Sequence, residues 1–275
     1  MKYTGERFIP SEKISIMSLE HMHRYMFLAK FCAGKKVLDV ASGAGYGSYM
    51  LSQCPGTTVT GADISAEAVA YAAKTYQNDN LQFINASITD LSALSDKSFD
   101  IVSCFETIEH ISAENQIVAL SEISRLLKED GILFISTPSI ASPLHIKDNK
   151  YHLSELSLPD FEQLLKLHFQ NCRIYGQSVF CCSCIGDEKN TEVLSLGAEQ
   201  NISDNKYLIA VCSNRLLPEL PGSVLIDKSN GAFKQLTKIR NCVGKIIPVY
   251  NTMLDIVALP FGRSKIKEKI LRYKW

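Results

Sequence analysis

Residues 37–47, VLDVASGAGYG, decide the fold. Val37 to Val40 is a short apolar run of strand character, and Gly43, Gly45 and Gly47 then turn the chain tightly into the start of a helix. Glycines at such a turn let the backbone come close to a ligand where a Cβ would collide. In a doubly wound sheet ligands lie at the carboxyl ends of the strands, so this turn faces a cleft. A dinucleotide fingerprint would read Gly-x-Gly-x-x-Gly, but the third place here is Ser48, and Asp39 stands four residues before the first glycine.

Outward from this turn, strands and helices alternate. A helix is predicted over 18–33, stopped by Gly34, and another over 47–54. Strands follow at 57–62, 81–85, 99–105 and 132–137, with helices from Ser65 to about Gln77 and from Ser112 to Lys128. A helix over 158–169 precedes strands near 172–178 and 207–213, which have no helix between them and so predict an antiparallel hairpin at the sheet edge. The long polar stretch 186–205 reads as an excursion between those two strands.

Asp63, in VTGADIS, ends the second strand about twenty residues beyond the glycine turn, where a carboxylate accepts ribose hydroxyls. Nicotinamide and S-adenosylmethionine sites share that device, so Asp63 alone does not choose between them.

The 275 residues, 46% of them hydrophobic, suffice for one sizeable α/β domain and an appendage. The formal net charge of zero hides an asymmetry: residues 228–275 carry eleven Lys or Arg against Asp255 and Glu268, a net of +9 that the preceding residues offset. A basic tail on an acidic body suits an anionic partner. Nine cysteines with no regular spacing, no apolar leader in MKYTGERFIP and no long apolar run predict a cytoplasmic chain with reduced thiols. Cys181, Cys182 and Cys184 lack a matching CxxC elsewhere and read as buried strand.

VLDVASGAGYG, VTGADIS, SFDIVSCFETIEHI and LLKEDGILFISTP together resemble the successive motifs of class I S-adenosylmethionine-dependent methyltransferases, over residues 36–138. The resemblance implies an α/β, Rossmann-like, doubly wound seven-stranded sheet, mostly parallel with an antiparallel final hairpin. It implies S-adenosyl-L-methionine as cofactor. Asp39, Gly43, Gly45 and Gly47 would surround its methionine part, Asp63 its ribose, and the loop of Ser87 and Ile88 its adenine, with Ala41, Ile64 and Phe105 also against the cofactor. Where relatives commonly carry an acid this chain has Ser87, with Asp90 as a possible substitute. Three parts are expected: a helical cap over 1–34, the methyltransferase domain over 35–214, and a basic helical C-terminal extension over 215–275.

The fourth strand ends in Glu106-Thr107-Ile108-Glu109-His110, at the cleft. Methyl transfer from a sulfonium is an in-line displacement that needs alignment and dehydration, and a base only where the acceptor must lose a proton. Three roles are open for this turn. His110 is a candidate general base, oriented by Glu109 or Glu106. Alternatively Glu-x-x-Glu-His resembles the divalent-metal site of ubiquinone-pathway and small-RNA O-methyltransferases, with His152 as fourth ligand and Mg²⁺ bound. In the third, Glu106 touches the cofactor and His110 caps the next helix.

The opening, Thr4 to Pro10 and then His21-x-His23-Arg24-Tyr25, resembles methyltransferases of bacterial surface-glycan (O-antigen) synthesis. That implies a glycan or lipid-linked glycan acceptor, with a quinone-precursor-like phenol or a silent scaffold as the competing readings. Arg7 and Arg24 suit a carboxylate or phosphate, Tyr25 would close over the methionine end, and His21 and His23 read as exposed helix positions. The 138–157 loop, with His145, Tyr151 and His152, is expected to form the acceptor pocket. Residues 264–275, SKIKEKILRYKW, place apolar residues opposite lysines and suit a membrane surface or a glycan-synthesis partner. Nucleic acid is not expected, because the body of the chain is acidic.

Overall fold

A computed structural model describes residues 15–146, 149–179, 201–223 and 225. Arg7, the Cys181–Cys184 cluster and the basic tail 228–275 lie outside these described residues.

In chain order the elements are α1 (Ile16–Ala29), β1 (Lys36–Val40), α2 (Tyr46–Ser52), β2 (Thr58–Asp63), α3 (Ala66–Thr75), β3 (Leu81–Asn85) and β4 (Phe99–Phe105). A 3₁₀ turn (Ile108–His110) leads to α4 (Ala113–Leu126) and β5 (Leu127–Pro138). Then come α5 (Leu158–Lys166), β6 (Asn171–Gln177), a second 3₁₀ turn (Ile202–Asp204) and β7 (Tyr207–Ser213). The seven strands form one sheet in the order β3-β2-β1-β4-β5-β7-β6. All neighbours are parallel except β7, which runs antiparallel to both β5 and β6. The strand order reverses between β1 and β4, which opens a crevice at their carboxyl ends. Among the described residues no helix is long and apolar enough to cross a membrane.

Serine caps set three helix starts: the Ser65, Ser112 and Ser157 hydroxyls accept from the backbone N–H groups of Ala68, Asn115 and Asp160. The period-two alternation of the strands splits the core between the two faces of the sheet. Leu38, Val102, Leu133 and Ala210 pack on one side with Leu120, Ile123 and Phe161. Val37, Ile101, Phe134 and Val211 pack on the other with Leu28 and Leu51.

Two boundaries differ from the sequence expectation. Helix α1 ends at Ala29 rather than 33, where the backbone tightens into turns closed by Gly34 at φ +69°. Strand β5 begins at Leu127, directly after α4, with no loop to Ile132. Its pairing with β4 jumps from Phe99–Leu127 to Ile101–Ile132, so residues 128–131 form a bulge. A Cβ on Gly131 would lie 2.9 Å from both Leu127 and the Lys128 carbonyl, so the bulge needs glycine there.

Candidate active site

Asp39 is fully buried on the α1–α2 side of β1. Its carboxylate accepts from Ser48 Oγ at 2.7 Å, from Ser103 Oγ at 2.7 Å, and from Tyr25 OH at 3.2 and 3.3 Å. Burial pushes its pKa up to about 6, against the pull of those three hydroxyls. The acid therefore ties β1 to α2, β4 and α1. The glycines serve this packing as much as any ligand. A Cβ on Gly45 would stand 2.5 Å from Ala72 Cβ and 2.8 Å from the Phe83 ring, and one on Gly47 would stand 2.0 Å from Cζ of the Tyr25 ring. Ala41, Gly43 and Gly45 all adopt positive φ (56°, 55° and 83°), and Ala41 does so without glycine's freedom. Asp63 closes the turn from the next strand: its two oxygens accept from the backbone N–H groups of Gly43 (2.8 Å) and Ser65 (2.9 Å).

Helix α1 delivers Tyr25 and Arg24 into the interior. The Tyr25 ring meets Tyr46 and Phe105 edge-on, at 5.4 and 5.2 Å. The Arg24 guanidinium is buried; Nη1 donates to Gln177 Oε1 at 2.8 Å, and the Tyr207 ring lies beneath it at 4.7 Å. Its Nε and Nη2, and the buried Ser42 Oγ of the glycine turn, have no partner among the described residues. His21 and His23 correct the expectation of exposed helix positions. Both are half-buried, and a ring nitrogen of His21 lies 2.9 Å from Tyr46 OH. Burial, then Arg24 and Lys206, keep the His21 pKa well below its ordinary value, so the ring is neutral.

At the end of β4 the expected trio separates. Glu106 takes a left-handed backbone (φ +51°), and its carboxylate accepts from Ser136 Oγ at 2.6 Å with Arg24 Nη1 3.8 Å away. Glu106 thus turns away from His110, and the expected four-residue metal set does not assemble. Three of the four do meet: Glu109, His110 and His152 each offer a ligand atom within 4.8 Å of the others. Glu109 is buried, and its Oε2 accepts from Thr137 Oγ1 at 3.3 Å. Burial, followed by the nearby Glu106 charge, pushes its pKa well above the usual carboxylate range. Nδ1 of His110 lies 3.0 Å from the Tyr151 carbonyl, and its ring meets the His152 ring edge-on at 4.9 Å.

The loop of residues 138–157, expected at the acceptor, is bolted to this turn. The Glu109 carbonyl accepts from Leu153 N (2.8 Å) and Ser154 N (3.1 Å), while Gln116 Nε2 donates to the Ile108 and Ser154 carbonyls. His145 and His152 both contact Glu155, at 3.2 and 2.5 Å. Tyr151 is exposed, with Lys150 Nζ 4.8 Å from its ring centre.

Of the residues expected around the adenosine, Ile64 is exposed, while the Ile88 side chain belongs to the core. Ser87 Oγ lies 2.8 Å from Thr89 Oγ1, and Asp90 accepts from Ser92. Sequence reasoning missed Ser48, Ser103, Gln177 and Glu155. Ser103 could have been found as a polar residue on the Asp39 side of the apolar strand FDIVSCF, and Glu155 by its spacing of three from His152.

A parallel sheet with a reversed final strand, a glycine turn at its switch point and an acid at the end of β2 define the class I methyltransferase fold. Comparison with known proteins agrees: residues 38–135 match the methyltransferase domain family. A probable S-adenosylmethionine-dependent methyltransferase of Mycobacterium tuberculosis is 31% identical over 166 residues, 59% of this chain and 58% of that protein. A ubiquinone biosynthesis O-methyltransferase of Glaesserella parasuis is 36% identical over 110 residues, 38% of this chain and 45% of that one. The chain thus spans about half the length of the curated relatives it matches. Among solved structures, the PH0226 protein of Pyrococcus horikoshii shares the fold, with a TM-score of 0.54 at 20% identity over 78% of this chain and 96% of that one. A SAM-dependent methyltransferase of Archaeoglobus fulgidus has a TM-score of 0.53 at 17% identity, over 72% and 94% of the two chains.

Proposed function

We propose that this chain transfers the methyl group of S-adenosylmethionine to a hydroxyl oxygen of a small acceptor, with His110 as the base. One observation carries the reading: Glu109, His110 and His152 converge at the carboxyl end of β4, one strand from the glycine turn. The buried, unpartnered Arg24 Nε and Nη2 and Ser42 Oγ beside that turn fit a cofactor that ends in a carboxylate. Asp63, fixed by two backbone amides, fits its ribose.

When bound, the cofactor supplies an electrophilic sulfonium methyl. The protein's share is to align the hydroxyl and take its proton. A carbonyl only accepts hydrogen bonds, so His110 must carry hydrogen on Nδ1 to bond Tyr151, which leaves a lone pair on Nε2. Burial and the nearby Glu106 charge push the Glu109 pKa well above the usual carboxylate range, which weakens its negative charge beside the acceptor.

The match to ubiquinone biosynthesis O-methyltransferases supports a quinone-precursor-like phenol ahead of a glycan as acceptor. A bound divalent ion is the second reading, favoured by the same three side chains. Two imidazoles and one carboxylate suit a borderline ion better than Mg²⁺, which prefers oxygen ligands. His110→Ala is expected to lower turnover of a phenolic acceptor by about 10²–10⁴-fold while calorimetry shows unchanged cofactor affinity. Turnover close to wild type in that variant removes His110 as base, and loss of activity in chelator restored by a divalent ion selects the metal reading.

A further inference from the structure

Beyond His110, the geometry points to Glu155 as the positioning residue of the acceptor site, holding His152 in its Nδ1–H tautomer and tying His145 to the same carboxylate. The inference rests on the proposed O-methyl transfer, and it concerns a residue that neither the glycine turn nor the β4 turn contains.

The argument begins with the two histidines of the convergent cluster. Each has its Nδ1 against an oxygen: His110 on the Tyr151 carbonyl at 3.0 Å, His152 on Glu155 Oε1 at 2.5 Å. A carboxylate, like a carbonyl, accepts, so the His152 proton resides on Nδ1 and the lone pair on Nε2. Histidines that must present one defined nitrogen to a proton or a metal are held this way, by an acceptor on the other nitrogen.

The Glu155 carboxylate is itself held in place. Its second oxygen lies 3.2 Å from His145 Nε2, so the acid bridges two ends of one loop. The loop in turn is fastened to the β4 turn by Leu153 N and Ser154 N on the Glu109 carbonyl, and by Gln116 on the Ser154 carbonyl. His145 and His152 are nearly buried, and Glu155 is about three-quarters covered. Every donor and acceptor in this chain of contacts therefore fixes the ring that stands 4.9 Å from His110. His145, expected from sequence in the acceptor pocket, braces Glu155.

The test reads tautomers and turnover separately. Long-range ¹⁵N–¹H spectra of the full chain at pH 8, with the His152 signal assigned by its loss in His152→Asn, should show hydrogen on Nδ1. Glu155→Gln, whose amide oxygen still accepts, should keep that tautomer and most of the turnover. Glu155→Ala should move hydrogen to Nε2 and lower kcat by about 10–100-fold, with KM little changed. An Nε2–H ring in the wild-type chain overturns the proposal whether or not the variants fold. So does a wild-type kcat in Glu155→Ala. The spectra need no turnover, so a chain that methylates no hydroxyl at all sinks the proposed function while the tautomer result still judges Glu155.

Discussion

Gly47→Ala is the sharpest test of how this site is built. The added methyl would stand 2.0 Å from the Tyr25 ring, and that ring cannot slide away freely. Its hydroxyl is bonded to Asp39, and Tyr46 and Phe105 stand edge-on against it. Overpacking of this kind costs about 1–3 kcal/mol. Displacing the Tyr25 hydroxyl weakens a hydrogen bond to a buried carboxylate, which is worth about 1.5–3 kcal/mol. Alanine's better helix propensity returns about 1 kcal/mol in α2. The net expectation is a loss of about 2–4 kcal/mol. Urea unfolding of Gly47→Ala, Tyr25→Ala and the double variant measures it. With the ring gone the methyl has room, so Gly47→Ala should be neutral or stabilising by up to about 1 kcal/mol in the Tyr25→Ala background. An equal loss in both backgrounds, or no loss in either, would refute the claim that Gly47 exists to admit Tyr25.

Two further outcomes follow from buried groups. Asp39 has a folded pKa of about 6 against 3.8 when unfolded, so between those values the folded chain holds a proton that the unfolded chain has lost. Its contribution to stability is complete below pH 3.8 and disappears as pH rises through 6, a change of about 3 kcal/mol. Urea midpoints from pH 4 to 7 should therefore show wild type losing stability relative to Asp39→Asn, and parallel curves for the two chains would contradict the buried position of the acid. Arg24→Met should weaken cofactor binding by about 10–100-fold in calorimetry, because hydrogen bonds to a charged carboxylate are worth about 1.5–3 kcal/mol. Thermal melts should show a modest loss, since Gln177 Oε1 loses its buried donor while a charge with two unpartnered nitrogens is removed; wild-type affinity in that variant excludes Arg24 from the cofactor site.

What the sequence disclosed follows from what periodicity can carry. The strand run before Gly43, the acid at 63 and the helix-free step from β6 to β7 each rest on local pattern, and the sheet has the expected form. The start of β5 was hidden because the bulge at residues 128–131 lets α4 pass into strand without any turn signal except Gly131. Side-chain direction was hidden further. Glu106 and Glu109 look equivalent in FETIEH, but the positive φ at Glu106 sends one carboxylate to Ser136 while the other stays with the histidines. The partners of Asp39 come from three elements up to 64 positions away, and no spacing rule links them.

The longest-range bonds of the site join α1 to the final strands. Arg24 reaches Gln177 across 153 positions, and Glu20 holds Lys206 and Tyr207 across 186 and 187. During synthesis α1 meets the glycine turn early, through Tyr25 on Asp39, yet Arg24 and Glu20 find Gln177, Lys206 and Tyr207 only after β6 and β7 have left the ribosome. A ribosome-tethered chain halted before Gln177 would display Arg24 without its anchor. The anchoring of Arg24 and Glu20 is accordingly timed by β6 and β7 rather than by the first motif translated.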